Sequence, residues 1–402
     1  MNIIIFSNLF PNKLEPERGN FIALMVSKLA KIAKAQVISP LPWFPNLSLL
    51  KKIPLLWQWA IFSEIPYKDN YKNIQVHYPK YFFLPKIGFI FQPITIIIST
   101  YYQLRKIKKD NNVDIINAHW IFPDAVSAVY ISRLLRIPCV VSARGCDINK
   151  YSASYFRRKL INWTLHNSDH ITVVSNALKE SIINIYNIDK NKITIIPNGV
   201  DESIFHLMDQ DTCRNALDLT LKSKILLFVG QLHPVKNIAT MLKALAIIKN
   251  NKKLIFNTII IGAGPLEFEL KKLASDLGLT SSEVDFKGQQ THTDVATYFG
   301  AADLLCLPSL REGRPNVVIE ALATGLPVVA SNVGGIPELI NSSNGALVSP
   351  SDEIELAKAI SVSMDKNWDR SEIASTQSAS SWDSCAKQYL DLFTKVLKLI
   401  KR

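Results

Sequence analysis

Short, uninterrupted apolar runs rich in β-branched residues recur along the chain, and helical periodicity fills the stretches between them. No other feature restricts the fold as much. A run that is apolar at every position, not at alternate ones, is buried on both faces. That is the environment of a strand in a parallel sheet with helices on either side. Runs of this kind lie at 3–6, 36–38, 115–118, 139–142, 170–174 and 193–196. A second series follows at 225–229, 257–261, 284–287, 304–307, 328–330 and 345–348. Amphipathic segments such as 21–33 and 238–250 separate them. The expected fold class is therefore α/β, with βαβ units wound into two Rossmann-like sheets.

Between the two series lies the turn-rich segment Pro197-Asn198-Gly199-Val200-Asp201. The expected domains are 1–198 and 199–381, followed by a closing amphipathic helix over 382–402 with Tyr389, Phe393, Val396 and Leu397 on its apolar side. A length of 402 residues suits two such domains. The net charge of +12 is uneven. Residues 1–200 hold 25 basic and 11 acidic side chains, giving +14, and residues 201–402 hold 21 and 23, giving −2. The whole excess lies in the first half, which points to an anionic partner there.

Composition excludes several classes. The cysteines, Cys139, Cys146, Cys213, Cys306 and Cys385, are odd in number and lack C-x-x-C spacing, which argues against a disulfide framework or a zinc ribbon and for a reducing compartment. His166 and His170 have H-x-x-x-H spacing, but Asn167-Ser168-Asp169 reads as a turn between them, so no metal site is expected. The N-terminus lacks a basic n-region and a long apolar core, unlike a signal peptide. The stretch 87–99 is broken by Gln92 and Pro93 and falls short of the roughly 20 apolar residues of a spanning helix. A soluble, cytoplasmic protein is expected, with scope for a peripheral position on the inner face of the plasma membrane.

The strongest chemical motif is Glu312-Gly313-Arg314-Pro315-Asn316-Val317-Val318-Ile319-Glu320. It follows a strand and opens a helix. Pro315 suits the first helical turn, and the amides of Asn316 and Val317 would then offer an anion site at the helix N-terminus. Glu312 and Glu320 suit sugar hydroxyls, which donate to carboxylates. Lys236, in Val229-Gly230-Gln231-Leu232-His233-Pro234-Val235-Lys236, follows the first strand of the second series and could neutralise a leaving phosphate. Gly262-Ala263-Gly264-Pro265 is a strand-to-helix turn without the third glycine of a dinucleotide fingerprint, so an oxidoreductase reading is weak. Asn332-Val333-Gly334-Gly335-Ile336-Pro337-Glu338 is a similar loop. In both, tight packing is an equally good reading.

In the first half, residues 7–18 form a loop after the first strand, and Gly19 opens the next helix, where its missing side chain would let a phosphate approach the backbone. Asn117-Ala118-His119-Trp120 and Ser142-Ala143-Arg144-Gly145-Cys146-Asp147 end two further strands at the ligand-binding edge of the sheet. His119 could equally be structural, and Arg144 could simply pair with Asp147.

Taken together, these motifs resemble the retaining glycosyltransferases of family 4. Glu312 to Glu320 is similar to the E-x7-E motif, 197–201 to the interdomain "PNGVD", and Lys236 to the donor-phosphate lysine; the surrounding 301–303, 307–309 and 320–330 match as well. The resemblance implies a GT-B fold, two Rossmann-like domains facing a central cleft, with an acceptor-binding first domain and a nucleotide-sugar-binding second one. It implies catalytic roles for Glu312, Lys236 and Arg144. Donor contacts would come from Gly19, Gln231, Gly264, Gly313, Arg314, Asn316, Val317 and Glu320, with Glu312 on the sugar and Glu320 on the ribose. Acceptor contacts would come from His119 and Asp147. No metal and no cofactor beyond the donor substrate is expected.

Two positions depart from the family. Gln231 stands where many members have Arg, and Arg144 where many have His; Arg144 stays protonated and cannot act as a base. The "ARG-x-D-I" string at 143–148 resembles a subgroup making surface polysaccharides such as teichuronic acid, capsule or O-antigen. The implied reaction is retaining transfer of a hexosyl or related sugar from a nucleotide-diphosphate sugar to a glycan or polyprenyl-linked acceptor. Competing readings are a nucleotide-sugar epimerase of the same fold and a binding protein that has lost catalysis. The basic half could suggest nucleic acid, but no recognition motif supports that partner. The aromatic, leucine- and lysine-bearing stretch 43–59 and the basic run 105–109 suit an anionic membrane surface instead.

Overall fold

A computed structural model describes residues 1–43, 61–83, 91–149, 154–221, 223–251, 256–376 and 381–400. The chain forms two compact units. One is Met1–Gly199 with Trp382–Arg402, the other Val200–Ser381.

The first unit holds β1 (Asn2–Phe6), β2 (Lys34–Ile38), β3 (Leu41–Trp43), β4 (Lys68–Tyr71), β5 (Ile74–His77), β6 (Lys80–Phe82), β7 (Ile115–His119), β8 (Cys139–Ser142), β9 (His170–Val173) and β10 (Ile193–Ile195). Its main sheet has the order β10-β9-β8-β7-β1-β2-β5-β4, parallel except for the antiparallel edge strand β4, and β3 pairs with β6 separately. Strand alternation divides the core into two layers. Ile4, Phe6, Ile116 and Val141 pack on one side with the helices Gln92–Asn111, Val126–Leu135 and Tyr155–Asn167. Ile3, Ile5, Val37 and Val140 pack on the other with the helices Asn20–Leu29 and Trp382–Ile400, whose Trp382, Tyr389 and Phe393 are buried there.

Strands β3 to β6 are absent from the sequence expectation. They are short, and Lys68-Asp69-Asn70-Tyr71 at the open edge has no apolar run to reveal it, because only one edge of it is paired. The first helix also stops at Leu29, four residues earlier than the amphipathic pattern suggests. A turn follows, and β2 must start at Lys34 to stay in register with Asn2. The helix Gln92–Asn111 carries Pro93 at its start, where the missing N–H costs nothing. Among the described residues no helix is long and apolar enough to cross a membrane. Of the stretch 43–59, only Trp43 lies within the described residues.

The second unit holds β11 (Lys224–Val229), β12 (Phe256–Ile261), β13 (Val284–Gly288), β14 (Leu304–Leu307), β15 (Val328–Ser331) and β16 (Gly345–Val348). All pairings are parallel and the order is β13-β12-β11-β14-β15-β16. Numbered within the unit, this is the 3-2-1-4-5-6 order of a doubly wound dinucleotide fold. Its direction reverses between β11 and β14. The loops leaving those neighbours run to opposite faces and open a crevice at the carboxyl edge, where such sheets bind ligands.

Candidate active site

The crevice of the second unit brings together the two strongest sequence signals. After β11 the chain turns through Pro234–Lys236 and enters the helix Ile238–Asn250. After β14 it runs out to Glu312. The Leu310 N–H donates to the Val235 carbonyl at 2.8 Å and ties the two loops. Lys236 Nζ lies 2.7 Å from Glu312 Oε1, and both side chains are largely buried, at 19% and 12% exposed. Each charge is held by the other.

The Glu312 loop is braced by the loop after β15. The Gly335 N–H donates to the Gly313 carbonyl at 2.9 Å. Gly334 has φ 55°, and a Cβ there would sit 1.9 Å from the Glu312 carbonyl oxygen. Only glycine fits, for both conformational and steric reasons. The loop 332–338 thus acts as a support for Glu312. Gly264 similarly abuts the Leu232 backbone, where a Cβ would come within 2.5 Å of the carbonyl oxygen, and Leu232 N–H donates to Ala263 at 3.0 Å. In this geometry Gly264 serves close packing of two crevice loops. Gln231 is exposed on the same rim.

The helix Asn316–Ala323 begins one residue later than expected. Pro315 is its N-cap, with ψ 123°, and does not lie in the first turn. Its carbonyl receives the Val318 N–H at 3.2 Å, the first bond of the helix, so Asn316 and Val317 still stand at the open N-terminal end. Pro315 itself has no side-chain group that could cap that end. Glu320 lies one turn in. Burial raises its carboxyl to about 7, and it makes no hydrogen bond or ion pair among the described residues. Arg314 is drawn inwards, and burial lowers its pKa, with the Glu338 carboxylate opposing that shift.

The first unit has its own switch point between β1 and β7. Gly19, at φ 63°, caps the helix Asn20–Leu29 and packs on the Leu9 carbonyl, which a Cβ would approach to 2.2 Å. The Asn8 N–H donates to Asp124 Oδ2 at 2.8 Å across the switch point, and Arg18 Nε donates to the Asn8 carbonyl at 3.0 Å. Asp124 went unnoticed in the sequence. It is fully buried, its Oδ1 lacks a partner among the described residues, and burial raises its carboxyl to about 8. Its signal was its place just past the end of a strand, in Phe122-Pro123-Asp124.

His119 ends β7 and is fully buried. Its Nδ1 lies 2.6 Å from Arg144 Nη2. A guanidinium can only donate, so Nδ1 accepts, the ring is neutral and the proton sits on Nε2. Burial, and then the Arg144 charge, hold its pKa well below the usual histidine value. Arg144 Nη1 donates to Asn198 Oδ1 at 2.6 Å, and its guanidinium stacks 5.3 Å from the Phe21 ring. The anticipated Arg144–Asp147 ion pair is not made. Asp147 is fully buried and accepts from the backbone amides of Ile121, Arg144 and Gly145, which shape this loop. Asp147 therefore holds the loop that presents Arg144, and offers no free oxygen edge of its own. Among the described residues no cluster of metal-ligating side chains occurs.

Two family models match this chain. Residues 61–204 match Glycosyltransferase Family 4, and residues 209–378 match Glycosyl transferases group 1. Between them they span most of both units. The chain belongs to the family 4 glycosyltransferases. The family 4 chain is 28% identical, over 365 residues, to the putative teichuronic acid biosynthesis glycosyltransferase TuaC of Bacillus subtilis, covering 90% of this chain and 88% of the relative. Its fold is similar to the sucrose-phosphate synthase of Thermosynechococcus elongatus (TM-score 0.76, 18% identity, 99% and 100% of the two chains). It is also similar to HepE of Anabaena, solved with UDP-glucose (TM-score 0.64, 19% identity, 99% and 97%). The two parallel-sheet units are those of a GT-B glycosyltransferase.

Proposed function

We propose that this family 4 glycosyltransferase moves a hexosyl or related sugar from a nucleotide-diphosphate sugar to a hydroxyl of a glycan or polyprenyl-linked acceptor, with retention at the anomeric carbon. The observation that carries the reading is the Lys236–Glu312 pair at 2.7 Å, at the switch point of the second sheet and beside the N-terminus of the helix Asn316–Ala323. A donor offers a better partner to each member of that pair. Its diphosphate draws Lys236, and its sugar hydroxyls donate to the released Glu312. The anomeric C–O bond to the diphosphate breaks as the acceptor oxygen bonds to the same carbon on the same face. The acceptor proton passes to the leaving phosphate oxygen. Growing charge on that oxygen is met by Lys236 and the amides opening the helix Asn316–Ala323, so the mechanism uses no metal.

Glu320 is assigned to the ribose, Gly313, Arg314, Asn316 and Val317 to the sugar and phosphates, and Gln231 and Gly264 to the rim of the diphosphate site. Gly19 is assigned to a diphosphate contact. Arg144, fixed by His119 and Asn198, supplies positive charge on the acceptor side, with Asp147 shaping its loop. The UDP-glucose bound by the Anabaena protein supports a nucleotide sugar as donor, and the Bacillus relative supports surface polysaccharide assembly as the setting. A lipid-linked acceptor would bring the enzyme to the inner face of the plasma membrane.

The test is release of nucleotide diphosphate from a panel of nucleotide sugars with and without glycan acceptors, with the anomeric configuration of the product determined. Glu312→Ala and Lys236→Ala are each expected to lower transfer by ~100-fold or more, while the fold is retained by circular dichroism. Full activity in either variant removes its role. Acceptor-independent epimerisation of the free nucleotide sugar would replace the transfer reading.

A further inference from the structure

One side of the first unit carries a feature that glycosyl transfer does not use. The helices Gln92–Asn111, Val126–Leu135 and Tyr155–Asn167 lie side by side on the sheet and leave an open apolar groove of about 620 Å³ between them. Ile94, Ile98, Tyr130, Phe156, Leu160 and Trp163 line it. These are not marginal exposures. Ile98 is 66% exposed, and Tyr102 and Tyr155 beside the groove are each 74% exposed. Large apolar side chains gathered at this density on one surface mark an interaction site.

The same helices are strongly basic. Together they carry eight basic side chains, Arg105, Lys106, Lys108, Lys109, Arg133, Arg157, Arg158 and Lys159, against the single acidic Asp110. Two of the cations are structural. Lys108 Nζ donates to the Leu135 carbonyl, and Arg133 to the Asn167 carbonyl, so each ties one helix to the C-terminal end of the next. Arg105, Lys106, Lys109 and Arg158 make no ion pair among the described residues. Helical spacing sets them beside the apolar groups. At 100° per residue, Ile94, Ile98, Tyr102, Arg105 and Lys109 fall in one stripe, while Ile96, Thr100, Leu104 and Ile107 point into the core. Exposed aliphatic side chains, aromatic side chains at their margin and long cations along the same stripe are the arrangement that rests in a bilayer interface.

We propose that this three-helix face docks the enzyme on an anionic phospholipid surface, the apolar groove taking up acyl-chain contacts and the Arg105–Lys109 and Arg158–Lys159 cations meeting lipid phosphates. The inference deepens the membrane part of the functional reading by naming the surface, and it rests on neither the donor nor the acceptor assignment. Charge complementarity selects this occupant over a second copy of the chain, because apposing two such faces would oppose like charges.

The full chain is tested by co-sedimentation with phosphatidylcholine vesicles with and without phosphatidylglycerol, at low and high salt. Binding is expected only with the anionic lipid and should weaken with salt. Ile98→Glu and the double variant Arg105→Glu/Lys109→Glu should each keep the circular dichroism spectrum and thermal midpoint. The double variant should lose affinity for anionic vesicles about thirty-fold or more, the effect of two cations at the surface. Lys358→Glu, an exposed charge on the second unit, should bind as the parent does. Equal binding to both vesicle types, no binding to either, or undiminished binding by folded groove variants overturns the proposal. So does a concentration-dependent dimer that the variants dissociate while vesicles are ignored. Thermal stabilisation by nucleotide diphosphates is read on the same samples, so failure of docking and failure of the donor site are separate results.

Discussion

Glu320 joins sequence and chemistry at a single side chain. Burial raises its carboxyl to about 7, well above the ordinary carboxylate range, and no partner among the described residues offsets this. On the proposed assignment of Glu320 to the ribose, sugar hydroxyls would donate to the ionised form, so nucleotide binding and ionisation would favour one another. Affinity for nucleotide diphosphate should therefore fall as the pH drops through about 7, approaching tenfold per pH unit below it. Calorimetry across this range checks the slope, and Glu320→Gln should flatten it. Stability has the opposite sign. A raised carboxyl pKa penalises the charged fold, and that penalty is absent below the unfolded carboxylate range and complete above about 7. Glu320→Gln should thus raise the thermal midpoint of the ligand-free protein at alkaline pH and leave it unchanged at acid pH. The sequence singled out Glu312 and Glu320 by the spacing of their motif and Lys236 by its place in the loop after a strand. It did not reveal that Lys236 and Glu312 hold each other, because 76 positions separate them. Nor did it assign Asp147 to three backbone amides, which come from loops after β7 and β8.

The crevice loops work as a set. Gly334 gives the loop after β15 the left-handed turn and the close approach that fix the Glu312 carbonyl. Gly334→Ala must move one loop or the other, and if Glu312 has the role proposed for it, a shift of about 1 Å there costs on the order of 100-fold in rate. We expect transfer to fall by roughly that factor, while the far-ultraviolet spectrum is unchanged; retained activity would show that Glu312 does not depend on this brace. The same scale explains which elements were readable. Strands such as β7, β8, β11 and β14 are buried on both faces and declare themselves as continuous apolar runs. At the sheet edge, β4 and β5 have alternating or charged residues, and their pairing came from the structure. The asparagine Asn198, read only as part of a turn, proves to hold the Arg144 guanidinium.

Across the molecule, the chain leaves the first unit after Gly199 and returns to it at Trp382. The returning helix buries Trp382, Tyr389, Phe393 and Val396 beside Ile22, Met25 and Val26. Lys28 Nζ pairs with Asp383 at 2.6 Å on its margin, an exposed contact that adds little. Tyr389 reaches the polar end of the sheet, its hydroxyl 3.4 Å from both Ser142 Oγ and Thr172 Oγ1. Phe393 is fully buried, so Phe393→Ala should destabilise the first unit by about 3–5 kcal/mol through lost contacts and a cavity. Calorimetry or limited proteolysis that resolves the units should show the loss confined to Met1–Gly199 and the terminal helix. An equal loss in Val200–Ser381 would contradict that assignment.

The sequence by itself determined the fold class, the two series of strands, the turn between them and the placing of all excess positive charge in the first half. These are local or cumulative properties, set by apolar periodicity, turn residues and composition. Only the tertiary structure decided which groups meet: Lys236 with Glu312, Arg144 with His119 and Asn198, Asp124 with the amide of Asn8, and three distant helices around one groove. Such contacts depend on strand order and register, and those are fixed by the burial of both sheet faces at once, which a single pass along the chain does not encode.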